Sequence, residues 1–515
     1  VVGVTGSYGK SSTKDHIADF LSDKYNVLKT SRTNNTEIAI ARLILNQLTN
    51  DHEVLVIEIG AYFLTQKLLM QEILISKFPI LLIDESQDTI KSLMEALFEV
   101  QRKHSERFVL GLFGDTMQRI YGHGKEDLGR DIPSEWGKPA KQMNHRCPLR
   151  VIKLINKIRS VVDGQEQKPR SDKEEGFVRF FILPIGLTNK SQAEDEIRKQ
   201  MTTITNDPLW SGPDAEVKIL TLEHHMAARR MGFIEMFEPL YEVDSLRTGL
   251  LDGSLPALRL FSQQVLPIVK AKLTDDDFAI TAIVRKYSPL LTKDTIKAIG
   301  EDQSLQIGKA KEAVYSLLAL WIDGKKSRFL DVLRNIAQTG LFEIPESLRP
   351  IAFRSEIEQD TVEKNTETPS SEDEDSGSIF DAWDKFLLTP FEQIELYDRY
   401  VNGQAPFGTH QGIKGLEFPR VMVIMDDNEA RGFMFSYDKL LGVKEKTETD
   451  RKNEQEGKDT GIDRTRRLFY VTCSRTQKSL AIVIYSANPE KVREHVLSEG
   501  WFESNEIEDL TEKIK

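Results

Sequence analysis

Two neighbouring carboxylates, Asp84 and Glu85, directly follow an apolar run in the segment LLIDESQDT. The run predicts a strand inside a parallel sheet, and nucleotide sites form at the carboxyl ends of such strands. In that place Asp84 could hold Mg²⁺, directly or through water, and Glu85 could orient the attacking water. The same pair is common in an ordinary turn after a strand, so its meaning depends on the other motifs.

A glycine-rich segment near the N-terminus, VTGSYGKSST, predicts a loop that holds phosphates. Gly6 and Gly9 allow the backbone to turn tightly, so that its N–H groups point at a phosphate. Lys10 adds a mobile positive charge, and the hydroxyl of Ser11 or Ser12 can bind Mg²⁺. A strict match to the pattern GxxxxGK[ST] fails because valine stands at the first glycine position.

Three later segments place a glutamine and two arginines where a phosphate could be recognised. Gln118, in LGLFGDTMQRIYG, follows another predicted strand and could sense the γ-phosphate or its attacking water. Arg146 lies in MNHRCP, and Arg475 lies in RRLFYVTCSRT. An arginine fork suits a transferring phosphate because the guanidinium stabilises charge in a planar, bidentate way. Taken alone, the glutamine segment is equally consistent with a strand, a turn and a helix start.

The order of five motifs resembles the superfamily 1 DNA helicases of the UvrD/Rep/PcrA type. The motifs are IDESQDT, GDTMQRIYG, NHR, THQGIKGLEF and RRLFYVTCSRT, and the resemblance covers residues 63–485 with an unmatched middle part. Five motifs in the right order are a highly specific signal. The resemblance implies two RecA-like domains with ATP between them, and movement along single-stranded DNA as the cleft closes and opens on each ATP.

The resemblance also implies roles for individual residues. Asp84 and Glu85 become the Mg²⁺-binding and water-activating carboxylates, and Gln118 couples the γ-phosphate to DNA binding. Arg146 and Arg475 become arginine fingers from the second RecA-like domain. The other implied contacts are His145 with the adenine, Glu417 with the ribose, and a group that faces DNA or links DNA to ATP, namely Tyr121, Thr409, His410 and Lys414.

Two positions depart from the pattern of the helicase family. The family usually has an aromatic residue before the arginine of NHR, where the ring stacks on the adenine, and here that residue is His145. Imidazole can also stack on a base, so adenine binding stays an expectation. The usual threonine–arginine–alanine of the last motif is replaced by Ser474, Arg475 and Thr476. We expect this replacement to preserve the fold.

The first 62 residues resemble a different family. The form TGxxGK[ST]xT, with the neighbouring TNNTEIAIAR and VIEIGAY, is similar to the central ATP-binding domain of Mur ligases of the MurF-like group. This resemblance implies that Glu58 is a further Mg²⁺ ligand. The lysine and histidine nucleotide motifs of a Mur ligase do not follow, and no helicase phosphate loop is recognised before Asp84. The resemblance changes between Ala61 and Thr65 without a linker, which favours a truncated or chimeric gene product over a genuine fusion.

Alternating strands and helices must position these motifs. Apolar, β-branched runs predict strands at VVGVT, EVLVIEIG, PILLID, RFVLGLFGD, RVMVIMD and SLAIVIYS. Helical spacing, as in KEAVYSLLALWI and SRFLDVLRNIA, dominates the middle of the chain. The predicted fold class is therefore α/β, with RecA-like parallel-sheet domains of the P-loop NTPase type, a mostly helical inserted accessory domain and an N-terminal α/β fragment. The predicted domains are the Mur-ligase-like fragment (1–62), a partial first RecA-like domain with the start of the second (63–164), the inserted region (165–400), the second RecA-like domain (401–490) and a C-terminal tail (491–515).

The composition of the 515 residues favours a cytoplasmic enzyme over a membrane or secreted protein. Hydrophobic residues make up 39% and charged residues 29%, and no apolar run is long enough to span a bilayer. Cys147 and Cys473 lack CxxC spacing, so we expect two reduced thiols rather than a metal site. The net charge is −12, and much of it lies in two polar segments, residues 358–378 and 444–464, which predict solvated linkers.

Three functions follow from these patterns. The first, which we favour, is an ATP-dependent DNA helicase or translocase of the UvrD type that uses ATP and Mg²⁺ on single-stranded DNA. The second is an inactive helicase remnant that binds DNA or protein, because the helicase phosphate loop is missing. The third is a Mur-like fragment of a ligase for peptidoglycan precursors, which 62 residues support. A repair or nuclease partner and the oligomeric state are left open.

Overall fold

The chain forms two compact units in a computed structural model. The first unit consists of residues 1–188, 197–210 and 413–515, and the second consists of residues 189–196 and 211–412. The structure describes residues 2–4, 22, 27–29, 54–58, 61–122, 124–126, 128, 132–292, 295, 303–354, 371–432 and 434–511.

Short strands and many helices make up the described part. The strands are β1 (Val2–Val4), β2 (Val27–Lys29), β3 (Val54–Glu58), β4 (Ile80–Ile83), β5 (Val109–Leu112), β6 (Met143–Asn144), β7 (Lys168–Pro169), β8 (Phe177–Pro184), β9 (Lys218–Thr221), β10 (Phe407–Thr409), β11 (Phe418–Met425), β12 (Thr476–Ser486) and β13 (Ile507–Asp509). The helices are α1 (Ala61–Gln66), α2 (Leu68–Lys77), α3 (Lys91–Lys103), α4 (Leu149–Arg159), α5 (Lys190–Thr205), α6 (His224–Met231), α7 (Ile234–Tyr241), α8 (Asp244–Asp252), α9 (Pro256–Arg259), α10 (Leu266–Leu273), α11 (Asp277–Tyr287), α12 (Gln303–Leu318), α13 (Phe329–Thr339), α14 (Arg349–Ala352), α15 (Ser371–Leu387), α16 (Gln393–Val401), α17 (Asp427–Ala430), α18 (Tyr437–Leu440), α19 (Glu448–Gln455), α20 (Gly461–Cys473) and α21 (Pro489–Ser498). Across these described ranges, no helix has both the length and the apolar character that a membrane span requires.

The N-terminal strands form a three-stranded parallel sheet in the order β1–β3–β2. The sequence predicted β1 and β3 from their apolar runs, and both strands are present. Glu58 ends β3 and pairs with Val4, the last residue of β1. The predicted phosphate-loop residues lie outside the described residues, and these are Gly6, Gly9, Lys10, Ser11 and Ser12.

Strands β4 and β5 form a parallel pair whose two faces differ. One face packs on a small apolar core made of Leu64, Ile75, Ala96, Leu97, Val100, Phe108 and Leu110. The other face exposes Ile80, Leu82, Val109 and Phe113, each between 55% and 62% accessible. This difference follows from strand geometry, because successive side chains point to opposite faces of a sheet.

Helices α1 and α2 pack with the strands that follow them in the chain. Leu64 of α1 lies in the core under β4 and β5, and Gln71 of α2 donates to the carbonyl of Leu64 at 2.7 Å. Arg107, just before β5, forms an ion pair with Glu72 at 2.9 Å. Residues 61–77 are therefore part of the same folded body as β4 and β5.

A four-stranded parallel sheet, β11–β12–β8–β13, forms the main sheet of the first unit. Its strands are nearly continuous apolar runs because helices and loops cover both faces of a parallel sheet. Arg150 of α4 makes a buried ion pair with Glu506 at 2.6 Å, next to the start of β13. The sequence analysis placed residue 177 inside the helical insertion, whereas β8 lies between β12 and β13 in this sheet.

The second unit is mostly helical, and it also contains a parallel pair of strands, β9 and β10. Its core is apolar and rich in aromatic side chains; Phe261, Phe329, Phe386 and Phe391 contact one another with ring centroids 4.4 to 6.3 Å apart. Burial of such large side chains is the main source of stability for a helical body of this size.

Two segments that the sequence analysis predicted as solvated linkers contain helices. Helix α15 begins at Ser371, inside the predicted linker 358–378, and α19 lies inside residues 444–464. Thr447 begins α19 with a capping box: its hydroxyl accepts from the N–H of Asp450 at 3.2 Å, and the carboxylate of Asp450 accepts from the N–H of Thr447 at 3.0 Å. The prediction was wrong because it weighed the charge of the segment and not this capping pattern.

Candidate functional site

The candidate site is built on the loop that follows β4. Asp84 and Glu85 are exposed, and the N–H of Glu85 donates to the carboxylate of Asp84 at 2.9 Å. Glu85 adopts a left-handed backbone with φ of 49°, which is uncommon outside glycine and concentrates at functional positions. The N–H of Ser86 donates to the carbonyl of Phe113 at 2.9 Å, which holds the loop against the end of β5.

Gln87 holds the side chain of Glu85 in place through a hydrogen bond. Its side chain is buried, its Nε2 donates to Glu85 Oε2 at 2.5 Å, and its Oε1 accepts from the N–H of Asp115 at 3.2 Å. A Cβ at Gly114 would lie 2.1 Å from Gln87 Oε1, so any other residue there would displace the Gln87 side chain. The sequence analysis did not single out Gln87, and its place two residues after Glu85 is the signal that could have found it.

Lys414 lies against the carboxylates of this loop. Its Nζ is 2.7 Å from Glu85 Oε2 and also contacts Asp88. Burial raises the pKa of Glu85, but the hydrogen bond and charge of Lys414 outweigh burial, with help from Gln87 and Arg475, and the pKa lies below its ordinary value. The sequence analysis grouped Lys414 with residues that face DNA or link DNA to ATP, and its direct partners in the structure are on the carboxylate loop.

Arg146 joins the NHR motif to the segment that carries Glu417. Its Nε donates to Glu417 Oε2 at 2.8 Å, and its Nη1 donates to the carbonyl of Ser474 at 3.1 Å. The hydrogen bond from Arg146 lowers the pKa of Glu417, and Gln477, which donates to Glu417 Oε1 at 2.8 Å, acts in the same direction. Glu417 and Arg146 were predicted at the ribose and at the phosphate, and the structure brings them together.

Arg475 is almost fully buried, at 1% accessible. Its Nε donates to the carbonyl of Val471 at 3.0 Å, and its Nη2 donates to the hydroxyl of Ser474 at 2.9 Å. Burial, followed by the charge of Arg146, lowers the pKa of Arg475 to about 10, and interactions with Cys147, Tyr470 and Glu85 act in the opposite direction. Its Nη1 lies 3.4 Å from the carbonyl of Leu416, and the carbonyl of the preceding residue, Ser474, accepts from Arg146.

Gln118 lies in the turn after β5 and is half-buried. Its Nε2 is 3.4 Å from Asp115 Oδ2, and Asp115 Oδ1 accepts from the N–H of Met117 at 3.0 Å. Asp115 also accepts from the hydroxyl of Tyr470 at 3.3 Å, in the same motif as Arg475. Asp115 and Tyr470 are two further polar residues that the sequence analysis did not single out.

The other predicted residues lie in different surroundings. His145 is exposed beside Arg146, and Tyr121 is half-buried after the Gln118 turn. Thr409 and His410 belong to the second unit: the hydroxyl of Thr409 accepts from the N–H of Gly412 at 3.0 Å, and His410 Nε2 lies 3.2 Å from the carbonyl of Leu220. Both side chains are buried, and their bonds brace the end of the β9–β10 pair.

The donor set in the first unit fits a nucleotide with Mg²⁺. Asp84 and Glu85 are exposed carboxylates, and Lys414 forms an ion pair with Glu85 at 2.7 Å. No group of three His, Cys, Asp or Glu side chains within the described ranges could hold a metal ion by itself.

Comparisons with known proteins show two separate similarities. Over 466 residues the chain is 26% identical to Gabija protein GajB from Bacillus cereus, a match that covers 85% of this chain and 63% of the length of GajB. The sequence model of the Mur ligase middle domain matches residues 4–80. A UDP-N-acetylmuramoyl-tripeptide--D-alanyl-D-alanine ligase from Synechocystis is 42% identical over 60 residues, which cover 12% of this chain and 13% of that ligase.

The predicted Mur-ligase-like segment at the N-terminus is confirmed, although the family match runs to residue 80 rather than 62. The mixed α/β fold with parallel sheets is confirmed as well, and the similarity to GajB extends over most of the chain.

Proposed function

We propose that the chain is an ATP-dependent motor of the UvrD type that acts on single-stranded DNA and uses Mg²⁺. The observation that supports this proposal most is the convergence of four separate motifs on one polar cluster. The carboxylate loop, the Gln118 turn, the NHR motif and the Arg475 helix are joined by the hydrogen bonds of Gln87, Arg146 and Tyr470. A chance likeness of short motifs would not predict that they meet in one place.

Each side chain has a role that its surroundings favour. Bound ATP and Mg²⁺ would supply the scissile phosphate and its charge neutralisation. Asp84, exposed at the end of β4, would hold the metal ion directly or through water. Glu85 stays ionised because Lys414 lowers its pKa, and it is fixed by Gln87, so it can orient water and accept a proton.

The two arginines differ in how they can reach a phosphate. The side chain of Arg146 is 29% accessible and is held by Glu417, which can release it when a nucleotide arrives. Arg475 is buried and donates to backbone carbonyls, so we propose that its positive charge stabilises the negative charge of the phosphate without direct contact. Arg146 can thus act as a guanidinium fork on developing negative charge, whereas Arg475 contributes its positive charge.

A phosphate loop is the remaining component that the proposed ATP site needs. The segment with Lys10 belongs to the Mur-ligase-like part, and residues 5–21 lie outside the described residues. If this loop serves the cluster, Lys10→Ala should weaken ATP binding by the full chain. If Lys10→Ala leaves ATP affinity unchanged, the loop does not serve this site.

The direct test is ATP hydrolysis by the full chain, with and without single-stranded DNA. We expect DNA to stimulate hydrolysis, and Arg146→Ala to lower the stimulated rate by about 100-fold or more. The matched control is Arg170→Ala, which removes a 47% accessible arginine paired with Asp172 in the same unit. If neither DNA nor the substitution Arg146→Ala changes the rate of ATP hydrolysis, the proposal of a DNA-dependent motor is rejected.

Two alternatives make different predictions in the same assays. An inactive helicase remnant would bind single-stranded DNA and show no turnover. A Mur-like ligase fragment would hydrolyse ATP in response to a peptidoglycan precursor and not to DNA. The similarity to a Mur ligase covers 13% of that enzyme, so the ligase alternative has the weaker support.

A further inference from the structure

Asp115 is a hub that connects the carboxylate loop to the Gln118 turn. Its N–H donates to Gln87 Oε1 at 3.2 Å, and Gln87 in turn holds Glu85. Its carboxylate accepts from Gln118 Nε2 at 3.4 Å and from the hydroxyl of Tyr470 at 3.3 Å, both on Oδ2. A change in the position of the Gln118 side chain therefore affects the hydrogen bond of the Tyr470 hydroxyl, because the two donors share one oxygen.

The hydroxyl of Tyr470 is buried and fully engaged. Besides donating to Asp115, it accepts from Gln167 Nε2 at 2.9 Å and from Arg159 Nη1 at 3.2 Å. Burial raises the pKa of Tyr470, and the charge of Asp115 raises it further, so the hydroxyl keeps its proton. The direction of donation towards Asp115 is therefore fixed.

Gln167 passes this connection to the NHR motif. Its backbone is held by Asn156, whose Oδ1 accepts from the Gln167 N–H at 2.9 Å and whose Nδ2 donates to the Gln167 carbonyl at 2.8 Å. The side chain Oε1 of Gln167 accepts from Asn144 Nδ2 at 2.6 Å. Asn144 Oδ1 then accepts from the N–H of Arg146 at 2.9 Å and of Cys147 at 2.8 Å.

These bonds all run in one direction. The N–H of Arg146 donates to Asn144, Asn144 donates to Gln167, Gln167 donates to Tyr470, and Tyr470 donates to Asp115. A continuous chain of donors thus begins at the backbone N–H of Arg146 and ends at Asp115, which also accepts from Gln118. These bonds are partly buried and share a single polarity, and neighbouring bonds in such a chain polarise one another.

Tyr470 also connects this chain to Arg475. It lies in the last turn of α20, and the carbonyl of the next residue, Val471, accepts from Arg475 Nε at 3.0 Å. The same turn of α20 thus carries both the Tyr470 side chain and the carbonyl that orients Arg475.

We propose that Tyr470 is a positioning residue that couples the Gln118 turn to Arg146 and Arg475. The proposal rests on the proposed function, since it assigns the coupling to ATP hydrolysis. When the Gln118 side chain leaves Asp115 to contact a phosphate, Asp115 Oδ2 retains Tyr470 as its donor. The hydrogen bonds between Tyr470 and the Arg146 segment then become stronger. The alternative is that Tyr470 is a buried hydroxyl whose bonds contribute to stability alone.

The test uses Tyr470→Phe, which removes the hydroxyl and keeps the ring that Arg159 covers at 5.4 Å. In the full chain we expect DNA-stimulated kcat to fall about tenfold, with KM for ATP changed by less than about threefold. The matched control is Tyr437→Phe, which removes a buried hydroxyl from the same unit next to Phe469. The double variant Tyr470→Phe with Gln118→Ala should be no slower than Gln118→Ala, because both act through Asp115.

A second readout does not depend on turnover. Hydrogen exchange of the amides in residues 115–119 and 143–147 should become several-fold faster in Tyr470→Phe and stay unchanged in Tyr437→Phe. If the wild-type chain hydrolyses ATP and Tyr470→Phe matches it, or if the double variant is additive, the coupling proposal is overturned and the proposed function stands. If the wild-type chain hydrolyses no ATP, the proposed function fails, and exchange alone decides: unchanged exchange overturns the coupling, and faster exchange in both segments supports it.

Discussion

Replacing Lys414 by glutamine tests how the carboxylate loop is controlled. Lys414→Gln removes the positive charge 2.7 Å from Glu85 and keeps a side chain of similar length. Burial, which raises the pKa of Glu85, is then opposed less, so the pKa of Glu85 should rise. In the proposed mechanism Glu85 acts as the carboxylate, so activity should be lost at a higher pH than in the wild-type chain.

The size of this effect follows from the geometry. A hydrogen bond to a charged partner contributes about 1.5–3 kcal/mol. The Glu85 side chain is 50% accessible, so solvent screening favours the lower end of that range, about 1.5 kcal/mol. Since about 1.4 kcal/mol corresponds to a factor of ten, the pKa of Glu85 should rise and its ionised fraction on the acid side should fall about tenfold.

The assay is the pH dependence of kcat/KM for DNA-stimulated ATP hydrolysis. The acid limb of the profile should move up by about one pH unit in Lys414→Gln, so that activity is lost most strongly below neutral pH. Lys439→Gln is the control, because it breaks a comparable half-buried pair, Lys439 with Asp450 at 2.6 Å, in the same unit. An acid limb that stays in place, or that moves equally in Lys439→Gln, would refute this account of Lys414.

Three further variants test other parts of the structure. Gln87→Leu should lower DNA-stimulated kcat about tenfold, because Glu85 loses its buried donor; an unchanged rate in steady-state assays would contradict that role. Arg150→Met should lower the free energy of unfolding by about 3–5 kcal/mol in urea titration, because Glu506 is left buried and unpaired, and Arg150→Met with Glu506→Leu should recover most of the loss. Burial lowers the pKa of His224 from 6.5 to about 4, so the unfolded chain binds the proton first and stability falls as the pH drops through that window. Urea titrations from pH 6.5 to 4 should show up to about 3 kcal/mol more loss in the wild-type chain than in His224→Gln, and equal losses would disprove this.

The strands could be predicted from the sequence because their pattern is local. Apolar runs such as ILLI and VLGL can be buried in a parallel sheet, and the polar residues after them mark the carboxyl ends. Asp84 and Glu85 were found in this way, since chain direction alone fixes which end of a strand carries them.

The hydrogen-bond partners of the site could not be predicted in the same way. Tyr470 and Asp115 are 355 positions apart, and no local spacing indicates that their side chains meet. Gln87 was overlooked for a related reason, because a glutamine after a strand is usually solvated and its burial depends on Gly114 and Asp115 across the loop. The helix α19 is a different case, because its capping box was legible in the segment TETD.

The uncovered face of the β4–β5 pair will affect how the protein behaves at the bench. Its exposed apolar side chains form a surface that promotes self-association of chains in solution. These side chains are Ile80, Leu82, Val109 and Phe113. Because β4 leads directly into Asp84, association through this face would crowd the entrance to the candidate site. The proposed turnover per chain would then decline as the protein concentration rises. The cause of that decline would be self-association and not the chemistry of the carboxylates.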